Sequence, residues 1–319
     1  MGTSANDRKV VSLPLNTTKT PRITVIIPAM NEAANLPHVA ARMPAGIDEI
    51  VFVDGNSTDN TVDVARQTWP DAVIVQQTRK GKGNALACGF EKATGDIIVM
   101  IDADCSTDPA EIPRYVGVLV AGADFAKGSR FIQGGGSSDI TFMRRIGNFG
   151  LNAIVNILFR THYSDLCYGY NAFWRDAMDV FELPATNATG PQWGDGFEIE
   201  TLINVRVAAA GLDIAEVGSY ERDRLHGVSN LNAVSDGIRV LRTIFAEWRS
   251  HRRSARTITP VHTASVEPVK TLTTQSPVAV TAPVAAAMPL TSQPAAITTE
   301  SLTAMLVNTA ATVDQETAV

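Results

Sequence analysis

Residues 96–104 read Asp-Ile-Ile-Val-Met-Ile-Asp-Ala-Asp, an apolar, β-branched run that ends in two carboxylates one residue apart. A short run of this kind, bounded by polar residues, predicts a buried strand over 96–102. Carboxylates at the end of a buried strand are not packing residues; they must meet water, a cation or a ligand. Alternation along an extended chain turns Asp102 and Asp104 to the same side, where they are expected to share one hard divalent ion. Alone, an Asp-x-Asp pair is a weak signal, because many strands finish in polar residues. Its meaning depends on the rest of the chain.

Upstream, β-branched runs alternate with helical patterns. Strands are expected at 23–28 (ITVIIP), 49–54 (EIVFVD) and 72–77 (AVIVQQ), and helices at 32–43, 58–67 and 83–93. This order predicts the α/β class: a mainly parallel, Rossmann-like sheet with helices on both faces. Ligands of such sheets bind at the carboxyl ends of the strands, where Asp54 and Asp102 stand. Downstream the alternation weakens. A helix is expected at 111–121, a strand at 124–131, a flexible Gly/Ser loop at 134–138, and helical patterns at 143–159, 175–182, 195–210 and 232–248. Within 146–159 the residues Asn148, Asn152 and Asn156 recur every four positions and would lie on one stripe of a helix. Two readings of that segment stand: a buried or substrate-lining helix, and contact with a membrane surface.

At 319 residues and 45% hydrophobic content the chain can bury a sizeable core, and its net charge of −6 argues against a nucleic-acid partner. Three cysteines, Cys88, Cys105 and Cys167, fit neither a disulfide framework nor a zinc site, which favours a reducing, cytoplasmic setting. The polar start of the chain carries no leader pattern, and no run reaches the roughly 18 apolar residues of a membrane span. Residues 1–21 are expected to be disordered. From Ser254 the composition turns to Thr, Ala, Val, Pro and Ser without an aromatic residue, so a disordered tail is expected, taken with its basic border as 251–319. That border, Arg249, His251, Arg252 and Arg253, reads as a solvated helix end or as a weak attraction to an anionic membrane.

Several further groups suggest chemistry. Asp54 opens Asp-Gly-Asn-Ser-Thr-Asp, where the later residues suit a helix cap and the first suits a base or ribose. Arg79-Lys80-Gly81-Lys82-Gly83 precedes a helix and is expected to be a mobile basic loop suited to a diphosphate, although its spacing is not that of a P-loop. Arg130, Arg144 and Arg145 flank the glycine-rich loop, each a candidate phosphate ligand or a surface ion pair. In 194–200, Asp195 and Glu198 are three apart and would share one helical face, with Glu200 roughly opposite Glu198. A charged helix N-terminus is the plainer reading of that segment. Asp165 is a candidate for acceptor binding or for orienting an arginine.

Taken in order, ITVIIPAMNEAANL, EIVFVDGNSTDNT, GKGNALACGF, GDIIVMIDADCSTDPAEI, KGSRF, DLCYGYNAFWRD and RLHGVSNL resemble family 2 glycosyltransferases across about residues 22–248. The pattern is nearest to the dolichyl- and polyprenyl-phosphate mannosyl- and glucosyltransferases. The resemblance implies a GT-A fold over 22–250, with a nucleotide-sugar half at 22–131 and an acceptor half at 132–250. It implies that Pro28, Met30 and Glu32 surround the nucleoside and that Val53 and Asp54 contact base and ribose. Asp102, Ala103 and Asp104 match the metal-diphosphate motif, with Ser106 as a further metal ligand and Mg²⁺ or Mn²⁺ as the cation. Lys82, Arg130 and Arg145 (or Arg144) would face donor or acceptor phosphates, and Arg224 and Ser229 would close over the donor. Asp104, Arg130, Asp165, Asp195 and Glu198 are the catalytic candidates. Two positions depart from the pattern: Ser106 stands where Gln is usual, and Asn230 where Lys is usual.

The implied reaction is inverting transfer of a sugar from a nucleotide-diphospho-sugar to polyprenyl phosphate, by a cytoplasmic protein or one peripheral to the cytoplasmic membrane face. A phosphate acceptor needs little general base, whereas the alternative, a hydroxyl acceptor, needs a carboxylate to take its proton. A nucleotidyltransferase is the remote alternative. It would carry a Gly-rich, basic loop after the first strand, where this chain has Pro28-Ala29-Met30-Asn31-Glu32.

Overall fold

Strand β1 (Ile23–Ala29) sends alternate side chains to two different cores: Val25 and Ile27 pack on one face of the sheet and Ile26 on the other. A strand covered on both faces reads as a continuous apolar run rather than an alternating one, which is why ITVIIP looks as it does. The computed structural model describes residues 20–227 and 233–257. After β1 follow helix α1 (Leu36–Ala41), strand β2 (Glu49–Asp54), helix α2 (Thr61–Thr68), strand β3 (Val73–Gln76), helix α3 (Lys82–Lys92) and strand β4 (Ile97–Met100). The second half adds α4 (Ile112–Val120), β5 (Phe125–Ser129), β6 (Gly136–Ser137), α5 (Phe142–Phe159), β7 (Asn171–Trp174), α6 (Ile199–Ala210), β8 (Ile214–Gly218), β9 (Tyr220–Glu221) and α7 (Ala233–Thr257).

Seven strands form one sheet in the order β3-β2-β1-β4-β7-β5-β8. All pairings are parallel except those of β7, which runs antiparallel to both β4 and β5. Helices α1, α2 and α4 cover one face, and α3 and α6 the other. A smaller core joins α5, α6 and α7 through Val155, Val205 and Ile244. The expected mixed α/β class is thus present, and β7 and β8 sew the second half of the chain into the same sheet as the first.

Several details differ from the sequence reading. The segment 134–138 is not simply a loop: Gly136–Ser137 pairs in parallel with Tyr220–Glu221, a partner 84 positions away that no local pattern reveals. Residues 175–181 form a 3₁₀ helix rather than an α-helix. Helix α6 begins at Ile199, not at 195, and the last helix runs on to Thr257, past Trp248. The cysteines are all free. No described helix is long and apolar enough to cross a membrane.

Phe173 of β7 is fully buried and touches Phe90, Phe125 and Phe181, joining strand, α3 and the 3₁₀ turn. Phe173→Ala should cost about 3–5 kcal/mol through lost transfer energy and a residual cavity. Urea unfolding reads this out, and an unchanged midpoint would refute the packing role.

Candidate active site

Strand β2 ends in Asp54, 4% exposed, whose carboxylate accepts the Ser57 amide at 3.2 Å and closes the turn that follows. Beside it, Asn31 holds a left-handed backbone (φ 59°) and accepts the Thr58 amide at 2.8 Å, so the ends of β1 and β2 are tied together. Glu32 donates its amide to Thr61 and accepts from Asn35 Nδ2 at 2.5 Å. Burial raises the Glu32 pKa, and the nearby charge of Asp104 adds to the rise despite the bond from Asn35. Pro28 is half-buried and Met30 is half exposed at the rim. Val53 and Ala103 correct the expectation: both side chains lie in the cores, at 0% and 3% exposure, so only their main chain is left to meet a nucleotide.

The expected sharing of one face by Asp102 and Asp104 through strand alternation does not hold, because β4 stops at Met100. Residues 101–107 form a turn in which Cys105 is left-handed (φ 67°) and the Ser106 amide donates to Asp104 Oδ1 at 2.9 Å. Asp102 accepts from Lys82 Nζ at 2.6 Å, and Asp104 pairs with Arg224 at 2.9 Å. Lys82 also reaches Glu200 Oε1 at 2.5 Å, and so bridges the turn after β4 to the first turn of α6. Burial opposes the Lys82 charge, but Asp102 and Glu200 outweigh it and its pKa is raised.

Helix α3 opens differently from the expected diphosphate cradle. The Asp195 carbonyl oxygen accepts the amides of Gly83 (2.8 Å) and Asn84 (3.2 Å), so backbone already caps that N-terminus. The loop's glycines serve this contact rather than mobility: a Cβ on Gly83 would lie 1.7 Å from the Gly194 oxygen, and one on Gly81 (φ +123°) 2.1 Å from the Asp195 oxygen. Lys82 itself still projects to the acidic turn.

A second charged group lies where β5 ends. Arg130 binds Asp165 through Nε (2.7 Å) and Nη2 (2.9 Å) and Glu221 through Nη1 (2.9 Å), with its guanidinium 5.0 Å from the Tyr168 ring. Burial disfavours its charge, but Asp165 and Glu221 prevail and raise its pKa. Asp165, fully buried, also accepts from Asn148 at 3.1 Å. It therefore orients the arginine and is no free base. Arg130 and Arg145 line a cavity of about 310 Å³ with Phe131, Ile132, Ser137 and Ile140. Arg145 rests over the Phe131 ring, whereas Arg144 turns to Asp139.

Asp195 and Glu198 correct the sequence reading too. Neither lies within α6, so they share no helical face. Asp195 forms a bidentate pair with Arg79 (2.8 Å for each bond), while Arg79 also holds the carbonyls of Ala185, Thr186 and Ala188. Glu198 accepts the amides of Gly194 and Gly196, both at 3.2 Å. Both are loop-fastening groups. Sequence reasoning passed over Glu221, and also Lys127, a fully buried lysine that donates to the carbonyls of Gly128 and Tyr168 at 2.7 Å each. Burial lowers the Lys127 pKa to about 8. Its signal was a lysine inside an otherwise apolar strand. Ser229 and Asn230 lie outside the described residues.

Asp102 and Asp104 offer hard oxygen donors of the kind Mg²⁺ or Mn²⁺ takes. Among the described residues no group of three or more His, Cys, Asp or Glu forms a metal cage. Two carboxylates fit a cation whose remaining ligands come from substrate phosphates and water.

A mainly parallel sheet whose carboxyl ends carry acidic turns paired with lysine and arginine defines the class of α/β protein to which this site belongs. Comparison with known proteins narrows the class: residues 24–181 match the model for glycosyl transferase family 2. Polyprenol monophosphomannose synthase of Mycolicibacterium smegmatis is 30% identical over 74% of this chain and 89% of its own length. Dolichol-phosphate mannosyltransferase of Pyrococcus furiosus is 35% identical over 51% of this chain and 49% of its own. The chain spans about half the length of the archaeal relatives that it matches. Glucosyl-3-phosphoglycerate synthase of Mycobacterium tuberculosis, solved with Mn²⁺, UDP-glucose and glycerol 3-phosphate, has a TM-score of 0.56 at 25% identity, covering 72% of this chain and 80% of that one. The chain belongs to glycosyltransferase family 2.

Burial opposes the Asp195 charge, but bonds from Arg79 and the Gln192 amide win and hold its pKa below the usual carboxylate value. A depressed folded pKa contributes stability above the unfolded value, near 3.9, that is lost as pH falls through the folded value. Asp195→Asn should thus be less stable at neutral pH and lose less on acidification from about pH 5 to pH 3. Urea midpoints across that range test this; parallel acid profiles would refute it.

Proposed function

We propose that this chain transfers a hexose from a nucleotide-diphospho-sugar to polyprenyl phosphate with inversion at the anomeric carbon. The observation that carries this reading is the pairing of two phosphate-suited regions: the Asp102–Asp104 turn flanked by Lys82 and Arg224, and the cavity lined by Arg130 and Arg145. In this reading Asp54 accepts bonds from the ribose or base. Asp102 and Asp104 hold a divalent cation. When bound, that cation offsets the charge that builds on the departing nucleoside diphosphate.

Lys82 and Arg224, which lie on these carboxylates, would add positive charge where negative charge develops on the diphosphate. Arg145 meets the acceptor phosphate, while Arg130, held rigid by Asp165 and Glu221, fixes the cavity wall. A polyprenyl phosphate is already an anionic nucleophile and needs no proton removed. The carboxylates nominated as bases support this choice over a hydroxyl acceptor, since Asp195 is committed to an arginine and Glu198 to backbone amides, and Asp165 beside the cavity is held by Arg130. The names of two relatives, a polyprenol monophosphomannose synthase and a dolichol-phosphate mannosyltransferase, support the same acceptor class. Peripheral placement at the cytoplasmic membrane face follows from that acceptor.

The test is a panel of UDP-, GDP- and dTDP-sugars with Mn²⁺ and polyprenyl phosphate. Labelled sugar should enter the organic phase only with the lipid phosphate and the metal both present. Asp104→Ala should lower the rate by about 10²–10³-fold, as for loss of one group that stabilises developing charge. Transfer that survives chelation, or that needs a hydroxyl acceptor instead, would overturn the reading.

A further inference from the structure

Helix α5 carries apolar side chains on two faces: Val155, with Leu151 and Leu158 partly buried, packs into the small core, and a second apolar stripe looks outward. Its polar stripe also faces inward: Asn148 donates to Asp165, Asn152 accepts the Leu166 amide at 2.8 Å, and Asn156 exchanges bonds of 2.8 and 2.9 Å with the backbone of Tyr163. The second apolar stripe is exposed. Phe142 (75% exposed), Met143 (71%), Ile146 (52%), Phe149 (77%) and Ile157 (77%) are the large side chains there. At 3.6 residues per turn these positions fall within an arc of about 120°. A helix on a globular surface normally turns polar residues outward, and a continuous apolar patch of this kind marks an interaction surface.

The charge around the stripe chooses the partner. In a chain of net charge −6, α5 holds no acidic residue. Arg145 is exposed at its start and Arg160 directly after its end. His251 of α7 meets Phe159 at 6.5 Å, which brings the exposed Arg249 and Arg252 of that helix to the same end. An apolar stripe bordered by arginines complements an interface of acyl chains and anionic headgroups. A second copy fits worse: whichever way two such faces pair, the arginines at the ends of one meet arginines of the other. The stripe also adjoins the candidate acceptor cavity, because Arg145, which borders it on α5, lines that cavity.

We infer that the outer face of α5, with the basic end of α7, is a docking surface for an anionic lipid bilayer. It lies flat in the headgroup region and presents the Arg130–Arg145 cavity to a lipid-borne phosphate. The identity of that lipid rests on the polyprenyl-phosphate reading; the docking itself does not.

The experiment is flotation of the full chain with vesicles of equal parts phosphatidylcholine and phosphatidylglycerol, against vesicles of phosphatidylcholine alone. The wild type should float with the anionic vesicles and less so at raised salt. The double variant Phe149→Glu/Ile157→Glu, at two highly exposed positions, should keep its circular dichroism and thermal midpoint but lose at least about tenfold in partitioning. A wild type that stays out of anionic vesicles would overturn the proposal. So would a variant that floats as well as the wild type, or a wild-type dimer that the variant dissociates. Hexose transfer to a short-chain, water-soluble prenyl phosphate, assayed without vesicles, should be equal in both proteins. Absence of transfer in both would sink the acceptor reading alone, and flotation would still decide the surface.

Discussion

The ammonium of Lys82, held between Asp102 and Glu200, is the contact on which the arrangement of the cleft depends. It joins three separate pieces of chain: the first residue of α3, the turn after β4 and the first turn of α6. A partly buried lysine between two carboxylates adds little net stability, because desolvation offsets much of the attraction, yet losing a partner would leave a charge unpaired. Its value is in geometry. Gly169 packs so closely on Glu200 that a Cβ there would lie 2.2 Å from Oε1, and Gly81 and Gly83 allow the α3 loop to lie against the Gly194–Asp195 backbone. The same carboxylate–lysine contact keeps Asp102 in place while no phosphate competes for either group.

The second half of the cleft obeys a similar rule with arginine. Arg130 is fixed by Asp165 and Glu221, and Asp165 by Asn148 of α5. The asparagines of α5 therefore have a structural reason to face inward beside Val155, which leaves Phe142, Met143, Ile146, Phe149 and Ile157 on the outer side of that helix. One constraint, satisfying a buried arginine and its carboxylate, thus bears on both the wall of the Arg130–Arg145 cavity and the orientation of α5. Lys127 adds to it by binding the Tyr168 carbonyl, next to Gly169 and hence to Glu200.

Much of the first half of the fold was legible because each doubly covered strand is a short apolar run and each helix has an amphipathic period. Strands at 23–28, 49–54 and 72–77 were found to within a residue or two of β1, β2 and β3. Strands β7 and β8 were not, since NAFW and IAEVG are short, carry ordinary residues and are strands only because β4 and β5 offer edges to pair with. The candidate acids were legible as residue types but not as roles. Asp195 and Glu198 looked like bases until an arginine 116 positions away and two backbone amides came into contact with them, and of the two readings open for Asp165 only its pairing with Arg130 decided for the orienting one.

The sequence by itself determined the layered α/β class, the acidic turn after the fourth strand and the family, because these follow from local hydrophobic patterning and from motifs of a few residues in order. Only the tertiary structure decided which charges are free and which are spent, and which face of α5 looks outward. Both depend on partners brought together by strand insertion and helix packing, and a carboxylate carries no mark in the sequence of the cation that will neutralise it.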